Sequence, residues 1–431
     1  MNWPFVGDPV NELVLFKNYR PDRAATFDEY RASGGYETLT SVLRKGSREQ
    51  LKEVIKASGL RGRGGAGFPT GMKWNAVRQD APFPRYIVSN ADEMEPGTFK
   101  DRVLMGVDPH LVIEGLVLAA YAVSAEKGFM FIRPSYEEDA QVLDRELAAA
   151  RDAGFLGKNI LGSDFSCDLT IHRSGGRYIC GEVSAQIKAI EGKRPHPQKG
   201  GPFETEKGIW GLPTLMNNVE TLACVPHIVK NGPAWFKGLA KSKSGAGTKL
   251  YCVTGMVNQP GCFELPIGTR LSEIIDEHAG GMKPGTRFKT CLPGGASTRY
   301  LTPEHYHVEM DFDAMQEVGH RLGTAAVIVF DENTCLVAST LNLMEFFARE
   351  SCGWCTPCRE GIPFIRDLLW RIENGEGKEV FIPMLREMAR HMSKAYCAFA
   401  PGAASPVESL LTNFENEIRE HISQRKCPFR S

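Results

Sequence analysis

The chain has 431 residues, of which 42% are hydrophobic and 24% charged, with a formal net charge of −1. This is the composition of a soluble globular protein of roughly two to four domains. It offers no electrostatic attraction to nucleic acid or to an anionic membrane surface. The opening residues, Met1 to Asp8, lack the basic region and apolar run of a signal peptide. No window approaches the ~20 apolar residues that cross a bilayer. The best candidate, Leu111 to Val123, is short and interrupted by Glu114. The expected location is the cytoplasm.

Residues 1 to about 58 read as an extended lead followed by short helices. The last of these covers Glu49 to Ser58, with Leu51, Val54 and Ile55 at helical spacing. Gly59 to Trp74 follows, Gly-Leu-Arg-Gly-Arg-Gly-Gly-Ala-Gly-Phe-Pro-Thr-Gly-Met-Lys-Trp. Such glycine density lets backbone approach a ligand and aim successive N–H groups at an anion. Gly62, Gly64 and Gly67 spell a dinucleotide fingerprint, yet a helix precedes them where that fingerprint requires a strand. A phosphate-bearing ligand is expected, with a flexible surface loop as the alternative.

Tyr86 to Ser89 is a short buried-strand run, ending in Asn90-Ala-Asp-Glu-Met-Glu-Pro-Gly97. The spacing then predicts a helix over 110–124, a strand over 129–132, a helix over 136–153, a strand over 168–172 and a helix over 181–191. This alternation indicates an α/β domain with a largely parallel sheet. A Gly-, Pro- and Lys-rich stretch carries Asn217-Asn-Val-Glu-Thr221, and Ser242 to Gly247 reads as a linker. Strands at 249–257, 261–265 and 325–330 around a helix at 271–278 suggest a small β-grasp-like module. Helical segments at 335–350, 359–374, 379–394 and 405–424 suggest a bundle. The expected domains are 1–58, 59–240, 246–333 and 335–431.

Twelve cysteines in a large, apparently cytosolic chain are no disulfide scaffold. Cys167, Cys180, Cys224, Cys252, Cys262, Cys291, Cys335 and Cys427 are scattered singly and read as small buried hydrophobes. Cys352, Cys355 and Cys358 differ. Three thiolates at this spacing converge on one centre, and a four-iron cluster needs a fourth ligand. Cys397, at a helix-to-loop boundary, is the preferred fourth; Cys427 competes from the tail. Zinc is the alternative metal, although its structural sites usually pair two Cys-x-x-Cys or His elements. Asp92, Glu93 and Glu95 follow a strand end, where open α/β sheets bind ligands; a solvated acidic loop is the competing reading. Gly175 to Glu182 opens a helix with a second anion-friendly N-terminus. Phe68 and Phe203 are candidates to stack on adenine, or else core residues.

Five motifs in this order resemble the NADH-binding flavoprotein subunit of respiratory complex I (NADH:quinone oxidoreductase). They are residues 59–74, Asn90 to Asp101, Tyr178-Ile-Cys-Gly-Glu182, Asn217 to Thr221, and Glu350-Ser-Cys-Gly-Trp-Cys-Thr-Pro-Cys-Arg-Glu-Gly361. The resemblance implies a Rossmann-like FMN domain, a β-grasp domain and a helical bundle with one [4Fe–4S] cluster. It assigns FMN to Gly62, Arg63, Gly64, Gly65, Ala66, Gly67, Lys73, Asn90, Asp92, Glu93, Tyr178, Gly181, Glu182, Asn217, Asn218 and Thr221. NADH is implied to stack over the flavin, its adenine between Phe68 and Phe203 and its nicotinamide near Glu95. The cluster ligands are implied to be Cys352, Cys355, Cys358 and Cys397.

Implied partners are a thioredoxin-like [2Fe–2S] subunit and the large iron–sulfur subunit of the peripheral arm. The assembly is expected at the inner face of the plasma membrane, without insertion of this chain. Val183 departs from the family's usual glutamate near the adenosine ribose, which predicts weaker discrimination against NADPH. Lys199 or His196 is a candidate cation for its 2′-phosphate, and Ala76 stands where some relatives place an aromatic wall. A diaphorase subunit of an NAD(P)-linked hydrogenase or formate dehydrogenase is the alternative within the class. A zinc-stabilised structural protein is the alternative outside it.

Overall fold

A computed structural model describes residues 13–430, so most of the expected extended lead lies outside the described residues. The first sheet contains β1 (Tyr86–Ala91), β2 (Lys127–Ile132), β3 (Asp168–Arg173) and β4 (Thr214–Asn218). Its order is β3-β2-β1-β4 and every pair is parallel. The chain therefore grows from β1 to one side and returns to the other. The crevice at the carboxyl ends of β1 and β4 is a topological switch point, where sheets of this kind place their ligands. Asn90 pairs with Asn218 at its edge.

The helix Pro109–Val123 covers this sheet and is buried along its whole length. Asp108 caps it by accepting the Leu111 N–H, and Pro109 occupies the first turn, where no N–H is needed. Glu114, the residue that breaks the apolar run, has an internal role. It accepts the Tyr30 hydroxyl at 2.6 Å and the Tyr36 and Leu39 N–H groups at 2.8 and 3.0 Å. Three donors thus satisfy one buried carboxylate and pin the helices Phe27–Ala32 and Glu37–Lys45 to the core. Gly115 allows the helix Val219–Asn231 to come close, because a Cβ there would lie 2.0 Å from the Leu222 carbonyl oxygen. Among the described residues no single helix is long and apolar enough to cross a membrane.

The second sheet holds β5 (Thr248–Gly255), β6 (Gly261–Pro266), β7 (Phe288–Leu292) and β8 (Ala326–Asp331), in the order β6-β5-β8-β7. β5 and β8 are parallel while both edge pairs are antiparallel, the arrangement of a β-grasp sheet. A buried ion network fastens it to the first sheet's helices. Glu220 accepts from Lys249 of β5 at 2.7 Å and lies 3.0 Å from Lys100. On the outer strand, Glu264 accepts the N–H groups of Val14, Leu15 and Phe16, which anchors the start of the described chain.

The C-terminal part is helical: Leu336–Glu350, Thr356–Glu373, Phe381–Met392, Phe399–Asn413 and Glu415–Gln424. The single expected segment over 405–424 is two helices, broken at Phe414, and the first begins earlier, at Phe399. Pro401 and Gly402 disguise that start in the sequence, but Pro is tolerated in a first turn. The helix Lys100–Val107 and strands β4 and β7 are further elements that periodicity does not reveal.

Candidate functional site

A cavity of about 300 Å³ opens at the carboxyl ends of β1 and β4. Gly64, Gly65 and Ala66 form one wall. Gly65 has φ +122°, which favours glycine, and a Cβ on Gly64 would sit 3.1 Å from the Asn218 Cβ, a tight contact that Asn218 would have to yield to. Asn90, Asp92, Glu93, Glu95, Tyr178, Gly181, Glu182 and Asn218 line the remainder of the first-sheet side. Asn90 donates to the Gly181 carbonyl at 3.1 Å, joining the end of β1 to the turn before the helix Val183–Ile190. Glu182 caps that helix through the Ala185 N–H.

Beneath the cavity Lys100 is fully buried, 2.7 Å from Asp101 and 3.1 Å from the Asn218 side-chain oxygen. Burial disfavours its charge, but Asp101, Glu220 and Glu93 outweigh that and keep it an ammonium ion. Among the carboxylates that line the cavity, Asp92, Glu93 and Glu95 have different settings. Asp92 accepts from the Ser174 hydroxyl at 2.6 Å, while its Oδ2 is buried without a hydrogen-bond partner among the described residues. Desolvation pushes its pKa up to about 6. Glu93 accepts the Asp101 and Arg102 N–H groups at 2.9 and 3.2 Å, at the start of the helix Lys100–Val107. Burial, and then the charge of Asp101, still raise its pKa. Glu95 accepts the Tyr178 hydroxyl and, at 2.7 Å, the Ser297 N–H; burial raises its pKa too.

The cysteine loop lies beside this cavity. Cys352 and Cys355 are half-buried, Cys358 is buried in the first turn of Thr356–Glu373, and Cys397 is half-buried just before Phe399–Asn413. All four line one small apolar pocket. Burial, then the neighbouring thiols, push Cys358 up to about 12. Among the described residues no three of these sulfurs lie within 4.8 Å of one another. That spread exceeds the ~3.8 Å between sulfurs on one tetrahedral zinc and suits a cluster of several irons. Cys397, Ile179 and Phe399 line both this pocket and the larger cavity, so one short segment separates the two.

Several expected site residues do not line this cavity. Arg63 is buried and structural: its side chain donates to the Ala246 carbonyl and its N–H to the Thr221 hydroxyl. Asn217 accepts from the Trp74 indole at 2.9 Å. Lys73 lies 3.0 Å from Glu204. Gly67 packs on Phe312, where a Cβ would come within 2.6 Å, and Gly62 pairs with the Phe68 carbonyl. Phe68 and Phe203 are exposed, at 53% and 70%, and neither is a core residue. Val183 packs on the core of the helical part. His196 is engaged, stacked on Trp354 at 4.3 Å and 3.1 Å from the Lys188 ammonium, which leaves Lys199 as the exposed cation. Cys427 and Cys335 are not isolated hydrophobes. Nor does Cys427 compete for the cluster: both meet Glu373 and His421 elsewhere in the helical part.

Comparison with known proteins gives three matched regions: "Nuo51 FMN-binding domain" over residues 55–227, "SLBB domain" over 250–301, and "NADH-ubiquinone oxidoreductase-F iron-sulfur binding region" over 338–421. The F 2 subunit of the NADH-quinone oxidoreductase of Rhizobium meliloti (strain 1021) is 45% identical across 97% of this chain and 99% of its own. The chain belongs to the family of NADH-quinone oxidoreductase F subunits. The F subunit of Escherichia coli (strain K12) is 46% identical over 92% of this chain and 90% of its own. An NAD+-reducing [NiFe]-hydrogenase in its H2-reduced state superposes with a TM-score of 0.81 at 34% identity. That match covers 91% of this chain but only 65% of the hydrogenase chain.

The cavity suits the family's FMN on its own evidence of shape and chemistry. Glycine backbone makes room for a flat ring, and Asp92, which lines the cavity, has one buried oxygen without a protein partner that would accept from a ligand hydroxyl. The motifs that carry the family resemblance at this cavity lie on the first sheet, yet part of the site comes from the second. Gly294, Ser297, Arg321, Gly323 and Thr324 line the cavity from loops around β7 and β8. Thr324 shares a 2.6 Å hydrogen bond with Thr98, and Arg321 donates to the Ser297 carbonyl at 2.6 Å. The stretch over residues 293–324 carries no recognisable motif, except that Pro293-Gly-Gly295 marks a close backbone approach.

Proposed function

We propose that the chain is the electron-input subunit of a quinone-reducing complex, oxidising NADH in its peripheral arm at the inner face of the plasma membrane. FMN, when bound, supplies the conversion of a two-electron hydride into single electrons. The residues present bind and orient. Gly64 and Gly65 admit cofactors against bare backbone, and Asn90, Asp92 and Asn218 offer hydrogen-bonding groups at the switch point. Glu95, held between Tyr178 and Ser297, is fixed to orient the nicotinamide. Onward transfer goes to a thioredoxin-like [2Fe–2S] subunit and to the large iron–sulfur subunit.

The observation that carries this reading is Cys397, which is wall to both the cofactor cavity and the cysteine pocket. A hydrogenase-type diaphorase is the second reading, favoured by the superposition on the NAD+-reducing hydrogenase. The higher identity and nearly full-length coverage of the quinone oxidoreductase relatives favour the first. The test is a Cys397→Ser variant mixed with NADH. After reconstitution with excess FMN, flavin bleaching and reduction of a small soluble acceptor should persist, while the NADH-reducible cluster signal disappears. A wild-type chain whose flavin is not bleached by NADH rules the reading out.

A further inference from the structure

Cys335, Glu373, His421 and Cys427 arrive from separate places in the helical part and meet at one point. Cys335 caps Leu336–Glu350, Glu373 ends Thr356–Glu373, His421 lies on Glu415–Gln424, and Cys427 lies in the tail beyond. One ligand atom from each is within 4.8 Å of all the others, and all four residues are buried. Cys335 Sγ is 3.3 Å from His421 Nε2 and 3.5 Å from Glu373 Oε2. His421 Nε2 is 3.2 Å from that same carboxylate oxygen. We propose that these four residues form a structural site for one zinc ion, separate from the iron–sulfur ligands.

The donor set identifies the ion. Two sulfurs, an imidazole nitrogen and a carboxylate oxygen are ligands that zinc takes in a closed tetrahedral site. Magnesium and calcium prefer oxygen alone and reject the sulfurs. The span also fits, since tetrahedral ligands at about 2.0–2.3 Å from zinc stand roughly 3.3–3.8 Å apart.

Neighbouring groups already orient the ligands, as outer partners do at metal sites. His421 Nδ1 lies 2.6 Å from the Glu417 carbonyl oxygen, which can only accept. The ring proton is therefore on Nδ1, and the Nε2 lone pair faces the other three ligands. Glu373 turns Oε1 towards the Arg430 guanidinium at 3.3 Å, leaving Oε2 for the ion. The Ala338 N–H donates to Cys335 Sγ at 3.3 Å, a contact that supports a thiolate. With four protein ligands no position is open for substrate. The ion clamps the C-terminal tail onto three helices.

The experiment uses the full chain, loaded with FMN and cluster, purified without chelator from a zinc-supplemented culture. Metal analysis should give about one zinc per chain in addition to iron. Zinc K-edge absorption should show two sulfurs at about 2.3 Å and two nitrogen or oxygen atoms at about 2.0 Å. A Cys427→Ser variant should lose zinc and keep its iron and flavin. Zinc below about a tenth of an equivalent, a four-sulfur shell, or a Cys335–Cys427 disulfide in unreduced peptides would overturn the assignment. The wild-type spectrum decides the matter even where the variant fails to fold.

Discussion

Asp92 is a carboxyl group with one oxygen hydrogen-bonded and the other buried without a protein partner. Its folded pKa of about 6 lies above the ordinary value of 3.8. Protonation therefore favours the folded chain: the contribution is full below about pH 4 and is lost as pH rises through about 6. Asp92→Asn should raise the unfolding free energy of the flavin-free chain at pH 8, by at most roughly 3 kcal/mol. The advantage should vanish near pH 4, and a pH-independent difference contradicts this account. Val183 offers a second check at this scale. Val183→Glu should lower kcat/KM for NADPH relative to NADH about tenfold, or ~1.4 kcal/mol; an unchanged ratio removes Val183 from nucleotide selection. The cysteine spacing and the Asp92–Glu95 run were legible because their chemistry is local. The burial of Arg63 and the pairing of Lys73 with Glu204 were not, since a Gly-rich loop can turn a cation inward or outward.

The elements with an apolar run or a clear periodicity were readable in advance: β1, β2 and β3, and the helices Pro109–Val123 and Glu137–Asp152. β4 was not, because it is short and ends in two asparagines. Its following helix does carry a start signal, Asn218 accepting from Glu220 one residue into the first turn, although Pro226 interrupts its pattern. The contribution of the second sheet to the cavity depends on tertiary docking that no periodicity records. Gly295 shows how tight that docking is. Its φ is +96°, and a Cβ would stand 2.6 Å from Glu95 Cγ. Gly295→Ala should displace Glu95 and lower kcat/KM for NADH by up to about 100-fold, with FMN content retained. Steady-state kinetics beside flavin quantitation tests this, and unaltered kinetics would detach the loop from catalysis.

Across the whole molecule, the ion network of Lys100, Glu220 and Lys249 ties the second sheet to the first in a water-free setting. Removing one partner leaves buried charge uncompensated, so Glu220→Gln should destabilise the chain by roughly 3–5 kcal/mol. Urea unfolding measures it; a loss under about 1 kcal/mol would mean that water reaches the site. The segment from Cys397 to Phe399 has another consequence, for how the protein matures. Because it bounds both the cysteine pocket and the flavin cavity, inserting the inorganic centre also fixes one side of the chamber for the organic one. Assembly thereby acquires an order, iron before flavin. Cells starved of iron should accumulate a chain that is poor in FMN as well, visible as a parallel fall of both contents in the purified protein.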